Sequence, residues 1–122
     1  MISLKDLIGS ELEKIEGLND SITTGYPQQW SKFPIVVYQE ETNQPHTITD
    51  NEEQLTTIGY KIDIWTKKTS TTSFSLEIDK VMTGLGFRRT NAVDQDEPNG
   101  LRHKVMRYRA VVSTDEKYIY HK

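Results

Sequence analysis

The sequence predicts an α+β fold: a single, mainly antiparallel β-sheet of about four to five strands, packed on one face by two α-helices. Three observations carry this. Thr57–Thr66 alternates, placing Ile58, Tyr60, Ile62 and Ile64 on one side and Thr57, Gly59, Lys61 and Asp63 on the other, as a strand with one buried and one wet face requires. Phe74, Ile78, Val81, Met82 and Leu85 then recur at the spacing that lines one side of a helix. Leu101–Val112 alternates again, with Met106, Tyr108, Ala110 and Val112 on one face and His103, Arg107 and Arg109 on the other.

The elements follow in order. Ser3 is placed to cap a first helix, with Asp6 three residues later as an acid-bearing variant of the capping box. Leu4, Leu7, Ile8, Leu12 and Ile15 form its apolar stripe, Gly17 is its stop, and Lys5, Glu11, Glu13, Lys14 and Glu16 make a solvated outer face. Residues 18–34, with Gly25, Pro27 and Pro34, read as a connection whose Tyr26, Trp30 and Phe33 fold back onto the core. Ile35–Gln39 is β-branched and aromatic, a strand. Residues 40–56 are almost devoid of apolar side chains and read as a long polar loop, in which Ile48 permits only a marginal extra strand. Thr71 or Thr72 caps the second helix, Gly86 supplies its left-handed stop, and Phe87 opens a strand beside Arg88 and Arg89. Asp94–Gly100 reads as a turn region whose Asn99-Gly100 pair marks a hairpin before the strand that starts at Leu101. Residues 113–122, with Tyr118, Ile119 and Tyr120, are an added strand or a mobile C-terminal arm.

At 122 residues the chain is expected to be a single domain, 1–122, able to bury a modest core without metals or disulfides. It has no cysteine, which removes disulfides, thiolate nucleophiles and cysteine-ligated metals and makes an intracellular setting the expectation. Met1–Asp6 carries acid early and lacks an unbroken apolar run, so neither a signal peptide nor a membrane span is expected, and the protein should be soluble. A hydrophobic content of 34% and a mean hydropathy of -0.66 leave much polar surface for a partner. The net charge of -3 hides an asymmetry: residues 1–87 carry -6 and residues 88–122 carry +3. Such a division suits head-to-tail packing of identical subunits or a nucleic-acid surface, and simple solvation is the bland alternative.

No catalytic pattern emerges. His46, His103 and His121 have no triad partners by spacing, and no Gly-x-Ser-x-Gly elbow occurs. Gly84 and Gly86 sit at a helix end, not the helix start that a phosphate loop needs. The acids of residues 40–56 lack calcium-loop spacing and its glycine. Asp63 and Asp79 each fall on the polar side of their own element, where solvation accounts for them. No enzyme activity, cofactor or metal is therefore expected. Arg102–Arg109 is the best nucleic-acid candidate, but its cations alternate faces and the chain as a whole is acidic.

Four blocks in order carry a resemblance: Phe33–Glu40, Tyr60–Thr66, Val81-Met82 with Gly86–Arg89, and His103–Tyr108. Together they resemble the tail-completion proteins of long-tailed bacteriophages and prophages, also called tail terminators or head-to-tail joining proteins. The resemblance implies a non-enzymatic α+β domain that closes into a ring, usually a hexamer, at the head–tail junction of the virion. Its implied partners are copies of itself, the tail tube protein and the head connector, with DNA passing through the ring without sequence-specific binding. Assembly would take place in the host cytoplasm from subunits that are monomeric in isolation, with no membrane involved. In such a ring we expect Glu40, Glu41, Asp50, Glu52 and Glu53 to form one side of the subunit contacts and Arg88, Arg89, Arg107 and Arg109 the other. A small nucleic-acid-binding module using strand 102–109 is the alternative.

Overall fold

In a computed structural model, which describes residues 3–25, 30, 32–49, 52–113 and 119–121, the chain is α+β. Its elements run α1 (Lys5–Glu13), β1 (Ile22–Thr23), β2 (Ile35–Thr49), β3 (Glu52–Thr66), α2 (Thr72–Gly84), β4 (Arg88–Asp96), a short 3₁₀ turn (Pro98–Gly100), β5 (Arg102–Ser113) and β6 (Ile119–His121). The strands form one sheet in the order β1-β2-β3-β5-β4, with β6 also against β5. Only the β1–β2 pair is parallel. Since β3 occupies one edge of β5 along its whole length, β4 and β6 must share the other. β4 runs beside Arg102–Arg109 and β6 beside Val111 and Val112, which leaves a break in that lane at Ala110.

Both helices lie on one face, as the alternation requires. Ile58, Tyr60, Ile62 and Ile64 of β3 and Met106, Tyr108, Ala110 and Val112 of β5 are all buried there. They pack against Ile8 and Leu12 of α1 and Ile78 and Met82 of α2 in one apolar cluster. Tyr38 Oη of β2 donates to the Lys5 carbonyl (3.1 Å), holding α1 over the β1–β2 end of the sheet. Tyr108 Oη of β5 donates to Asp79 Oδ1 of α2 (2.8 Å), holding α2 over the β5–β4 end. Gly86, at φ 99°, closes α2: its N–H bonds the Thr83 carbonyl and Phe87 N–H bonds the Met82 carbonyl, satisfying two of the last free carbonyls of the helix.

The structure corrects several expectations. Residues 40–49 and 52–56 are not a loop. They are the outer halves of β2 and β3, which run antiparallel for fifteen residues each. The register passes through Thr42↔Gly59, Gln44↔Thr57 and Thr49↔Glu52, with irregularities near Glu40, Pro45 and Thr47. A ladder needs paired backbone and tolerates polar side chains, and the threonines here are good strand formers. The bulges accommodate Pro45, which has no N–H to donate. Asp94–Asp96, expected to open the turn region, instead prolong β4. The N-cap of α1 is Leu4 without a side-chain bond, so Ser3 does not cap it. At α2, Ser70 Oγ accepts from Thr72 N–H (3.0 Å), while the N-cap Thr71 makes no capping bond. Within the proposed mobile arm, Ser113 ends β5 and residues 119–121 form β6; residues 114–118 and 122 lie outside the described set.

The second face of the sheet is not uniformly wet. Phe33, Ile35, Val37 and Trp65 form a small apolar cluster on it. Trp30 meets Trp65 edge-on, with ring centroids 5.2 Å apart, so two of the three connecting aromatics do fold back, though onto this face. Tyr26 lies outside the described residues.

Candidate functional site

The candidate interface residues separate on folding. Glu40 is drawn toward the helix side, where its Oε1 accepts from Tyr60 Oη (3.4 Å) and Asn43 Nδ2 (3.1 Å). Glu41 takes Arg107 Nε at 3.2 Å, so one expected acid–arginine pair forms within the chain and not between neighbours. Arg89 also reaches the helix side and pairs with Asp79 of α2 at 3.0 Å. Glu52 and Glu53 stand opposite Thr49 and Ile48 at the far end of the β2–β3 hairpin, and Asp50 lies outside the described residues.

Arg88 and Arg109 behave differently. They are direct cross-strand partners on the face away from the helices. Both are exposed, and neither forms an ion pair with a described residue. Like charges placed directly opposite on a sheet repel. The two arginines border a groove of about 500 Å³ that also takes in Thr57, Thr90 and Val111, opening at the break beside Ala110. A second groove of about 380 Å³, past Gly59, Gln44 and Glu41, shares Arg109 and Thr90 with the first. Gly59 is the β3 neighbour of Arg109, and with no side chain it leaves the space beside that guanidinium open. The two grooves adjoin as one trough that runs from β4 across β5 and β3 to Gln44 and Glu41 of β2, with the arginines that pair with no described acid at the β4–β5 end.

Acid collects at the opposite end. Asp6 and Glu13 lie two turns apart on α1, and Glu16 and Asp20 follow it; all four are exposed. None is ion-paired to a described residue, whereas Glu11 is tied to Lys14 at 2.7 Å. The acidic-first, basic-last order of the chain thus becomes a lateral division of the molecule, because α1 covers β1 and β2 while the arginines stand on β4 and β5.

One polar cluster was not foreseen. Asp63, expected to be solvated, is 5% exposed, and its Oδ2 lies 2.7 Å from Nε2 of the equally buried His103. His103 Nδ1 lies 3.0 Å from Glu97 Oε1 but is not aligned for a hydrogen bond; that oxygen accepts from Trp65 Nε1 (2.9 Å). Trp65 stacks on the imidazole, with centroids 4.3 Å apart. Ser70, Thr71 and Thr72 line a cleft of about 300 Å³ next to His103. Asp63 engages Nε2, while Nδ1 lies beside Glu97 without an aligned hydrogen bond. The arrangement locks the 3₁₀ turn to the sheet. Asp79, on the other face, never meets Asp63. The register Trp65↔His103 creates this cluster, and spacing along the chain carries no sign of it.

Three phenols are held above their ordinary range. Burial raises Tyr60 most, helped by the Glu40 carboxylate, and burial with the Asp79 hydrogen bond raises Tyr108 against a lowering pull from Arg89. Burial also raises Tyr38, with Asp6 and Glu13 nearby. Among the described residues no group of three or more His, Cys, Asp or Glu side chains converges as a metal site. No helix among them is long and apolar enough to cross a membrane. Compared with protein-family models and with curated proteins, the sequence matches none.

Proposed function

We propose that this protein is a structural assembly protein that joins head-to-tail with copies of itself into a ring, completing the tail tube of a long-tailed phage or prophage. The observation that carries this reading is that acids without a described cation stand on and after α1 at the β1–β2 end of the sheet, while Arg88 and Arg109 stand without a described acid at the β4–β5 end. Such ends suit heterologous contacts, which close into rings when the rotation between neighbours allows it. The four sequence blocks of the resemblance fall on β2, β3, the α2–β4 junction and β5, the frame that carries both ends. In this reading the ring, a hexamer, caps the tail tube, offers a surface to the head connector and leaves a channel for DNA.

The test is to add the purified protein to tail tubes that lack their head-proximal cap and examine them by electron microscopy. Annular density at one end of each tube is the expected result. Tubes that stay bare while the protein sediments as a monomer would overturn the assignment. The nucleic-acid alternative is favoured by Arg88 and Arg109, which pair with no described acid, but opposed by Glu41, which would meet a phosphate backbone lying along the same trough. Salt-sensitive binding of duplex DNA by the full chain would revive it.

A further inference from the structure

The geometry points to a particular subunit contact: the basic trough at Arg88 and Arg109 receives the acidic face of α1 from a second copy of this chain. This rests on the assembly reading above and supplies its contact, which sequence reasoning had assigned to the acids of residues 40–56. Those acids are poorly placed for the task, since Glu41 is occupied by Arg107 and Glu40 turns toward Tyr60.

Three observations select the occupant. First, Arg88 and Arg109 oppose each other with no described counter-charge, an arrangement that a shared carboxylate relieves. Second, Asp6 and Glu13 offer carboxylates two helical turns apart, exposed and without a described cation. Two turns of helix span roughly 11 Å. Arg88 and Arg109 stand one strand spacing apart, roughly 5 Å, so one carboxylate bridges both while the second reaches along the trough past Gly59, one strand further on. Third, each side carries apolar surface beside its charges: Leu7, 46% exposed, flanks the acids on α1, and the half-buried Val111 walls the groove. Donor and acceptor sit at opposite ends of the sheet, so one copy cannot satisfy itself and the contact propagates. A polyphosphate fits less well, because Glu41 lines the second groove.

The experiment is sedimentation velocity on the full chain at high concentration and low salt. It compares wild type, Arg88→Glu/Arg109→Glu, Asp6→Lys/Glu13→Lys, and an equimolar mixture of the two double variants. Far-UV circular dichroism confirms that each is folded, and Arg88→Gln/Arg109→Gln serves if the reversal disturbs β4. Wild type, expected to be monomeric when dilute, should associate at high concentration and low salt and dissociate with added salt. Each double variant alone should weaken association by at least about tenfold, since like charges then meet. The mixture should regain it, because each intact surface finds an intact partner and the two reversed surfaces also complement each other. Association unchanged in both double variants would overturn this contact while leaving ring assembly to its own microscopy test. A wild type that stays monomeric at every concentration, or a mixture that fails to recover, would overturn it as well. So would duplex DNA binding that is lost in Arg88→Glu/Arg109→Glu, which would make the trough a phosphate site.

Discussion

Asp63 and His103 show what one buried polar contact does in this sheet. The carboxylate sits near the C-terminal end of β3 on the face that no helix covers, yet it is buried, with the imidazole at 2.7 Å and Lys61 Nζ at 3.8 Å. Removing one member leaves the other buried without its partner, a penalty larger than the net worth of the bond. Asp63→Ala is therefore expected to cost about 3 kcal/mol in urea denaturation. In the Asp63→Ala/His103→Ala double variant the two losses should not add, falling short of their sum by about 1 kcal/mol or more. Strict additivity would show that the two residues act independently.

At the scale of the elements, the seating of α1 on β2 depends on a small residue. Gly9 is buried at the contact, and a Cβ built there overlaps Tyr38 Oη, the hydroxyl that bonds the Lys5 carbonyl. Gly9→Ala gains helix propensity but must displace that ring end, so a net loss of about 1–3 kcal/mol is expected from overpacking. Trimming the hydroxyl makes room, and Gly9→Ala should cost less in a Tyr38→Phe background. A Gly9→Ala variant as stable as wild type would show that α1 slides freely over the sheet. On α2 the anchors are Ile78 and Met82, both fully buried against β3 and β5. Met82→Ala should lose about 2–5 kcal/mol by chemical denaturation, whereas Leu76→Ala, at an exposed position of the same helix, should change stability little.

For the whole molecule, the phenols set a pH limit. Tyr60 and Tyr108 are held protonated in the folded state above the value of about 10 that they have in an unfolded chain. A folded pKa raised in this way gives stability that is complete below about pH 10 and is lost as pH rises toward the folded values. The free energy of unfolding should accordingly show no contribution from these groups near neutrality and fall progressively above that point. Spectrophotometric titration near the tyrosinate band should show two or more phenols ionising only as the fold is lost. Tyr108→Phe should flatten the alkaline limb of the stability curve while costing stability at neutral pH through the lost bond to Asp79. If all six tyrosines titrate together near the ordinary value, the packed face is more open than its burial indicates.

Much of this architecture is legible along the chain because alternation and helical spacing are local records of which side of an element faces the core. Ile58 to Ile64, Met106 to Val112 and the stripes of both helices were readable for that reason, except that Leu7, expected in the first stripe, is 46% exposed; the left-handed stop at Gly86 and the turn at Gly100 were readable too. Local pattern failed where pairing supplied the stabilisation. The outer halves of β2 and β3 are held by backbone bonds across Thr42↔Gly59 to Thr49↔Glu52, which leave no apolar trace, and β1 is only two residues long. The sequence by itself determined the α+β class, the packed face of the sheet and the existence of an acidic and a basic portion. Only the tertiary structure decided which charges remain available, because register and strand order tie Arg107 to Glu41 and Arg89 to Asp79 while setting Arg88 against Arg109. Such contacts join residues far apart in the chain, and no pattern within a single segment encodes them.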